Sequence, residues 1–120
     1  MLIKTIGFIL LFGIFVFSLY EKITKFDSVK DLTLKKIDFL PSLAPYVAIV
    51  LLCLGTTTVF GNYFGLLNNK IGKFGIDTLI LFTSLATYFF HNISKDPTQR
   101  FYFEKNIAII GGMLLYRSYL

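Results

Sequence analysis

Residues 96–119 read DPTQRFYFEKNIAIIGGMLLYRSY, and the reading of the whole chain turns on this stretch. Asp96 has the side chain of an N-cap, and Pro97 suits the first helical position, where a missing N–H costs nothing. Phe101, Tyr102 and Phe103 make an aromatic belt, while Arg100, Glu104 and Lys105 hold that end at a polar boundary. From Ile107 to Leu115 the run is apolar and broken only by Gly111 and Gly112, a pair small enough to let another helix come close. The pattern predicts a helix over 97–119 that starts in water, crosses an interface on aromatic rings and ends in lipid.

Composition agrees. Of 120 residues, 55% are hydrophobic and 16% charged, and the mean hydropathy is +0.69. A water-soluble domain of this size needs more polar groups to cover its surface, and here the apolar residues gather in long runs. The length allows one domain at most. The formal charge of +5 and the pI of about 9.4 come from cations lying between apolar runs, which fits juxtamembrane Lys and Arg rather than nucleic-acid binding. A single cysteine, Cys53, allows neither a disulfide nor a thiol-based metal site within one chain and reads as a small hydrophobe.

Outward from the last helix, three more spans are predicted. Leu2 to Tyr20 is apolar apart from Lys4 and Thr5; at ~1.5 Å per residue it reaches about 28 Å, enough to cross a bilayer. Ser18-Leu19-Tyr20 lacks the paired small residues of a signal-peptide cleavage site, so the segment reads as a retained helix. Glu21 to Ser42 turns polar, with Lys22, Lys25, Lys30, Lys35 and Lys36 set against Glu21, Asp27, Asp31 and Asp38. Its recurrent apolar residues fit a short interfacial helix or a packed loop. The second span is expected over 45–67. Its second half, GTTTVFGNYFG over 55–65, carries a Gly61/Gly65 GxxxG pair and three threonines able to bond back to their own helix. Asn68-Asn69-Lys70 with Gly72 predicts a turn, and a third helix follows over 75–91, ending in Tyr88, Phe89 and Phe90. The fold class is thus all-α: a four-helix transmembrane bundle over 1–120. Eight cations flank the first and third connections and four flank the other side, which places both chain ends on the non-cytoplasmic face.

Candidate chemistry is sparse. Asp77, near the expected start of the third helix, is placed to reach water or Lys73, although a carboxylate within a span is a functional candidate by default. His91 is the only histidine, so it cannot supply paired axial ligation to a haem, and it reads as an interfacial residue bonded to a loop carbonyl. Glu21 and Glu104 fall at one boundary, where they could approach each other or pair with Lys22 and Lys105. No Ser/His/Asp set, phosphate loop or metal-ligand spacing occurs, so no catalytic residue, cofactor or metal site is expected.

The charged end of the first helix (SLYEKITKF), the Gly-rich half of the second and FEKNIAIIGGMLL in the fourth resemble the DoxX-like superfamily, closest to its eukaryotic HR-like lesion-inducing branch. The resembling residues are Glu104-Lys105-Asn106, Ala108 and Gly111-Gly112. Many bacterial relatives carry an acidic residue in helix two; none occurs here between Pro41 and Asn69, so no role for it is carried over. The resemblance implies a four-helix membrane bundle and, more loosely, association with a redox membrane complex.

The reading that follows is a non-catalytic accessory or assembly subunit of a larger membrane complex, specifically a respiratory-chain complex of the mitochondrial inner membrane. Its partners would be lipids and other membrane subunits, met through Gly61, Gly65, Gly111 and Gly112. The alternative is a quinone- or lipid-binding protein using Thr56, Thr57, Thr58 and Asn62 with Asp77, His91 or Glu104. A small carrier or channel ranks last, because four spans with few buried charges leave little to line a pore.

Overall fold

The structure is a computed structural model that describes residues 2–25, 44–90, 98 and 100–120. Among these residues the chain forms four helices and no strand: α1 (Leu2–Thr24), α2 (Ala44–Tyr63), α3 (Asn69–Phe90) and α4 (Arg100–Ser118). Of the predicted interfacial segment over 21–42, residues 21–24 continue α1 and residues 26–42 lie outside the described residues, as do the Asp96/Pro97 cap and His91. Two helical stretches, Leu2–Thr24 and Tyr46–Tyr63, are long and apolar enough to cross a membrane.

Local chemistry explains where the helices stop. α1 runs one turn past the expected Tyr20, because Glu21 and Lys22 are good helix formers; Lys22 Nζ donates to Ser18 Oγ at 2.9 Å and Thr24 Oγ1 to the Tyr20 carbonyl at 2.8 Å. α2 stops at Tyr63 rather than Leu67. Gly65 adopts a left-handed φ of +83°, the Leu66 N–H bonds the Gly61 carbonyl at 2.8 Å and the Gly65 N–H bonds that of Asn62 at 3.1 Å. That is a Schellman cap, and glycine fills its left-handed position without a Cβ penalty. α3 then starts six residues earlier than the expected Gly75. Asn68 is its N-cap, its Oδ1 accepting from the Ile71 N–H at 2.9 Å.

Gly72 and Gly75 therefore sit inside a helix, and packing explains them. A Cβ on Gly72 would stand 2.6 Å from Asn62 Cγ; one on Gly75 would overlap Thr58 Oγ1 and stand 3.0 Å from Val59 Cγ2; one on Gly55 would stand 2.6 Å from Leu79 Cγ. The α2 face bearing Gly55, Thr58, Val59 and Asn62 interlocks with the α3 face bearing Gly72, Gly75, Ile76 and Leu79. This makes α2–α3 the tightest pair in the fold.

α1 packs on this pair through Phe8, Phe12 and Phe15, spaced to fall on one helix face, and Met113 of α4 closes the core over Leu52, Val59, Ile76 and Leu79. Phe8 stacks on Tyr63 with ring centroids 4.0 Å apart. The α1–α4 seam is thin beside the α1–α2, α2–α3 and α3–α4 contacts, with Leu11 Cδ1 standing 3.3 Å from where a Cβ on Gly112 would lie.

The polar groups inside are satisfied locally. Thr56, Thr78, Thr83 and Thr87 are buried, and each hydroxyl donates to the carbonyl four residues earlier. Buried Asn106 Nδ2 donates to Thr87 Oγ1 at 3.0 Å, a side-chain link from α4 to α3.

Candidate functional site

One group of polar side chains gathers where the start of α1, the end of α2, the start of α3 and the end of α4 meet. They line a partly open cavity of about 420 Å³: Lys4 and Thr5 from α1, Asn62 and Tyr63 from α2, Asn69 from α3, and Tyr116 with Leu120 at the end of α4. Its walls are tied across the bundle. Thr5 Oγ1 and the Tyr63 hydroxyl are 2.6 Å apart; Asn62 Nδ2 donates to Asn69 Oδ1 at 3.0 Å and to the Leu67 carbonyl at 3.2 Å. Asn69 Nδ2 in turn donates to the Leu120 carbonyl at 3.3 Å. Aromatic packing backs the cavity, with Tyr116 against Phe8 and Phe12 at centroid distances of 5.7 and 5.3 Å.

Two lining groups have hydrogens to spare. Lys4 makes no hydrogen bond or ion pair among the described residues, and neither does the half-buried Tyr116 phenol. The seven lining residues carry no carboxylate side chain. The one side-chain carboxylate at this end among the described residues, Asp77, is taken by Arg117: Nε and Nη2 reach its two oxygens at 2.8 and 3.1 Å, a bidentate fork joining α3 to α4.

No family model matches this chain, and neither does any curated protein or solved structure.

The candidates named from the sequence do not form one cluster. Asn62 lines the cavity. Asp77 lies two turns into α3, not near its start, and it pairs with Arg117 of α4 rather than with Lys73. Thr57 is exposed on α2, whereas the hydroxyls of Thr56 and Thr58 are committed to carbonyls of their own helix. Glu104 pairs with Arg100 one turn away at 2.8 Å, and no ion pair joins Glu21 or Glu104 to Lys22 or Lys105 among the described residues. Lys105 lies over the Tyr102 ring, and Lys22 over that of Phe82, at 5.2 and 5.4 Å. His91 lies outside the described residues.

The four glycines separate too. Gly65 is the left-handed cap residue in the turn, and Gly61 faces the Leu67 side chain of that same turn. Gly112 faces Leu11 of α1, and Gly111 faces open space, with nothing within 4 Å of where a Cβ would lie.

Lys4, Thr5, Tyr63, Asn69, Tyr116 and Arg117 were not singled out from the sequence. One signal was available for Arg117: Asp77 and Arg117 are isolated opposite charges that an up-and-down bundle brings to the same end. Thr83, Thr87 and Asn106 offered another, as polar residues at helical spacing within apolar runs. Nothing linear marks the cavity, where the two hydroxyls in hydrogen-bond contact, on Thr5 and Tyr63, lie 58 positions apart.

Proposed function

We propose that this protein is an integral-membrane accessory subunit: a four-span bundle that serves a larger membrane complex by packing against its other subunits. The observation that carries the reading is the outward surface. Ile3, Leu10 and Phe17 of α1 are 86%, 74% and 76% exposed, and Ile107, Leu114 and Leu115 of α4 are exposed beside the open Gly111. Surface of that kind on every side is not tolerated in water but suits lipid or a partner helix. Supporting it, only 17% of the α1 stretch and 22% of the α2 stretch are buried within the chain, whereas a core helix of a soluble domain is mostly buried.

On this reading α3 and α4 also lie in the bilayer. The buried threonines satisfy their hydroxyls within their own helix, as a lipid environment demands. The finer assignment, a respiratory-chain complex of the mitochondrial inner membrane, rests on the resemblance to DoxX-like proteins.

Mild-detergent extraction, native-gel separation and mass spectrometry of the band test the proposal. Comigration with a respiratory complex far larger than 13.7 kDa is expected. Migration as a monomer or small homo-oligomer would overturn it.

A further inference from the structure

We propose that the cavity at the α1/α4 seam holds the phosphate of an anionic lipid headgroup, with Lys4 as its charged contact and the Tyr116 phenol and the Thr5–Tyr63 hydroxyl pair as neutral donors. The inference rests on the membrane-embedded reading above and adds a ligand to it.

The lining offers mainly donors. Among the described residues the Lys4 ammonium and the Tyr116 O–H have no hydrogen-bond partner, and the Thr5–Tyr63 contact consumes only one of its two hydroxyl hydrogens. Of the acceptors in the lining, Asn69 Oδ1 takes the Asn62 amide and the Leu120 backbone oxygen takes the Asn69 amide, while Asn62 Oδ1 accepts no hydrogen bond among the described residues. The free Lys4 and Tyr116 donors call for a ligand that brings acceptors. An unpaired ammonium favours an anionic one, because charge-assisted hydrogen bonds are about twice as strong as neutral ones.

The surroundings have the same sign. Lys70 and Lys73 of α3 stand at this end with Lys4 and Arg117, and the Asp77 carboxylate there is already neutralised by Arg117. The neighbouring surface is suited to acyl chains. Ile3, Ile6 and Leu10 are exposed on α1 around Lys4, so a headgroup on Lys4 leaves its tails on an apolar face. A soluble phosphate compound would gain nothing from that face.

The test uses the full chain in phosphatidylcholine nanodiscs containing a minor share of phosphatidylglycerol, with lipids retained per chain read by native mass spectrometry. One retained phosphatidylglycerol is expected. Lys4→Gln, at a side chain that makes no contact the fold needs, should cut its retention about tenfold or more. Tyr116→Phe, which keeps the ring packing, should cut it by a smaller factor. Lys105→Gln makes the same charge change at the opposite end and should leave retention unchanged.

Equal losses in Lys4→Gln and Lys105→Gln would overturn the proposal, as would equal retention of phosphatidylcholine. Displacement by soluble glycerol 3-phosphate would overturn the lipid source, and displacement by a neutral quinone would overturn the anionic class. A chain that fails to enter nanodiscs refutes the membrane reading itself; one that enters and retains no phosphatidylglycerol refutes only this inference.

Discussion

Gly75→Ala is the sharpest probe of what holds α2 to α3. The added Cβ would overlap Thr58 Oγ1 and come within 3.0 Å of Thr58 Cβ and Val59 Cγ2. Neither neighbour can yield cheaply. The Thr58 hydroxyl is bonded to the Leu54 and Gly55 carbonyls at 2.8 and 3.1 Å, its β-branched side chain is stiff in a helix, and Val59 is fully packed. The helices must move apart, and overpacking of this kind costs about 1–3 kcal/mol. Against it stands the gain of about 0.5–1 kcal/mol from replacing a helical glycine by alanine. The net expectation is a loss of about 1–2 kcal/mol. Gly111→Ala meets nothing within 4 Å and keeps only the favourable contribution. The two variants should therefore differ by roughly 2 kcal/mol, about thirtyfold in the ratio of folded to unfolded protein. Unfolding midpoints in a mixed-micelle titration, followed by far-UV circular dichroism, read this difference. Adding Thr58→Ala to Gly75→Ala should recover part of the loss, a coupling that only residues in contact can show. If Gly75→Ala proved as stable as Gly111→Ala, the interlocked α2–α3 face would be wrong.

Three further outcomes follow from the same titration. Gly65→Ala should destabilise by about 1–2 kcal/mol because the position is left-handed, and Gly65→Asn by less; equal stability of all three would refute the Schellman cap. A double-mutant cycle of Asn106→Ala with Thr87→Val should show a coupling of about 0.6–1.7 kcal/mol for the buried hydrogen bond between α4 and α3, and additivity would exclude that bond. The Asp77–Arg117 pair is half-exposed, so a cycle through Asp77→Asn and Arg117→Gln should give no more than about 1 kcal/mol, shrinking as salt is raised; a salt-independent coupling would contradict its exposed geometry.

The four helices were legible in the sequence because long apolar runs separated by polar or Gly- and Asn-bearing stretches predict helices, and two of them hold stretches long and apolar enough to cross a membrane. Their ends were less so, and the glycines account for much of the difference. Gly61 and Gly65 match a packing motif by spacing, yet Gly65 is needed for its φ of +83° and Gly61 faces the turn that follows. Gly72 matches a turn glycine, yet it is needed for the space that Asn62 occupies. One residue type serves both ends, conformational freedom and close approach, and only the neighbours decide which. Reading Gly72 as a turn residue moved the start of α3 past Asn69 and put Asp77 near a helix end it does not occupy. The cavity was illegible for another reason. Each of its residues has a bland interpretation alone, and only the antiparallel closure of four helix ends makes a donor-rich pocket from Lys4, Tyr116 and the Thr5–Tyr63 pair.

The placement of polar groups ties the fold to the proposed function. In lipid, burying one apolar side chain against another gains little, since the solvent is as apolar as the core; close packing and interhelical hydrogen bonds must supply the cohesion. This chain has both where α2 meets α3, close packing at Gly55, Gly72 and Gly75 and the Asn62–Asn69 hydrogen bond, and it has the Asn106–Thr87 bond where α3 meets α4. At the α1–α4 seam it has neither a comparable glycine interlock nor a side-chain hydrogen bond among the described residues, and α1 is held mainly by its phenylalanines and the Thr5–Tyr63 contact. The bundle is thus thinly joined along the seam where the donor-rich cavity opens. A lipid phosphate on Lys4 and Tyr116 would bridge α1 to α4 at that seam, adding the polar link that their own side chains lack. Retained phosphatidylglycerol should accordingly raise the unfolding midpoint of the wild-type chain and leave that of Lys4→Gln nearly unchanged, because a ligand stabilises only the state that binds it.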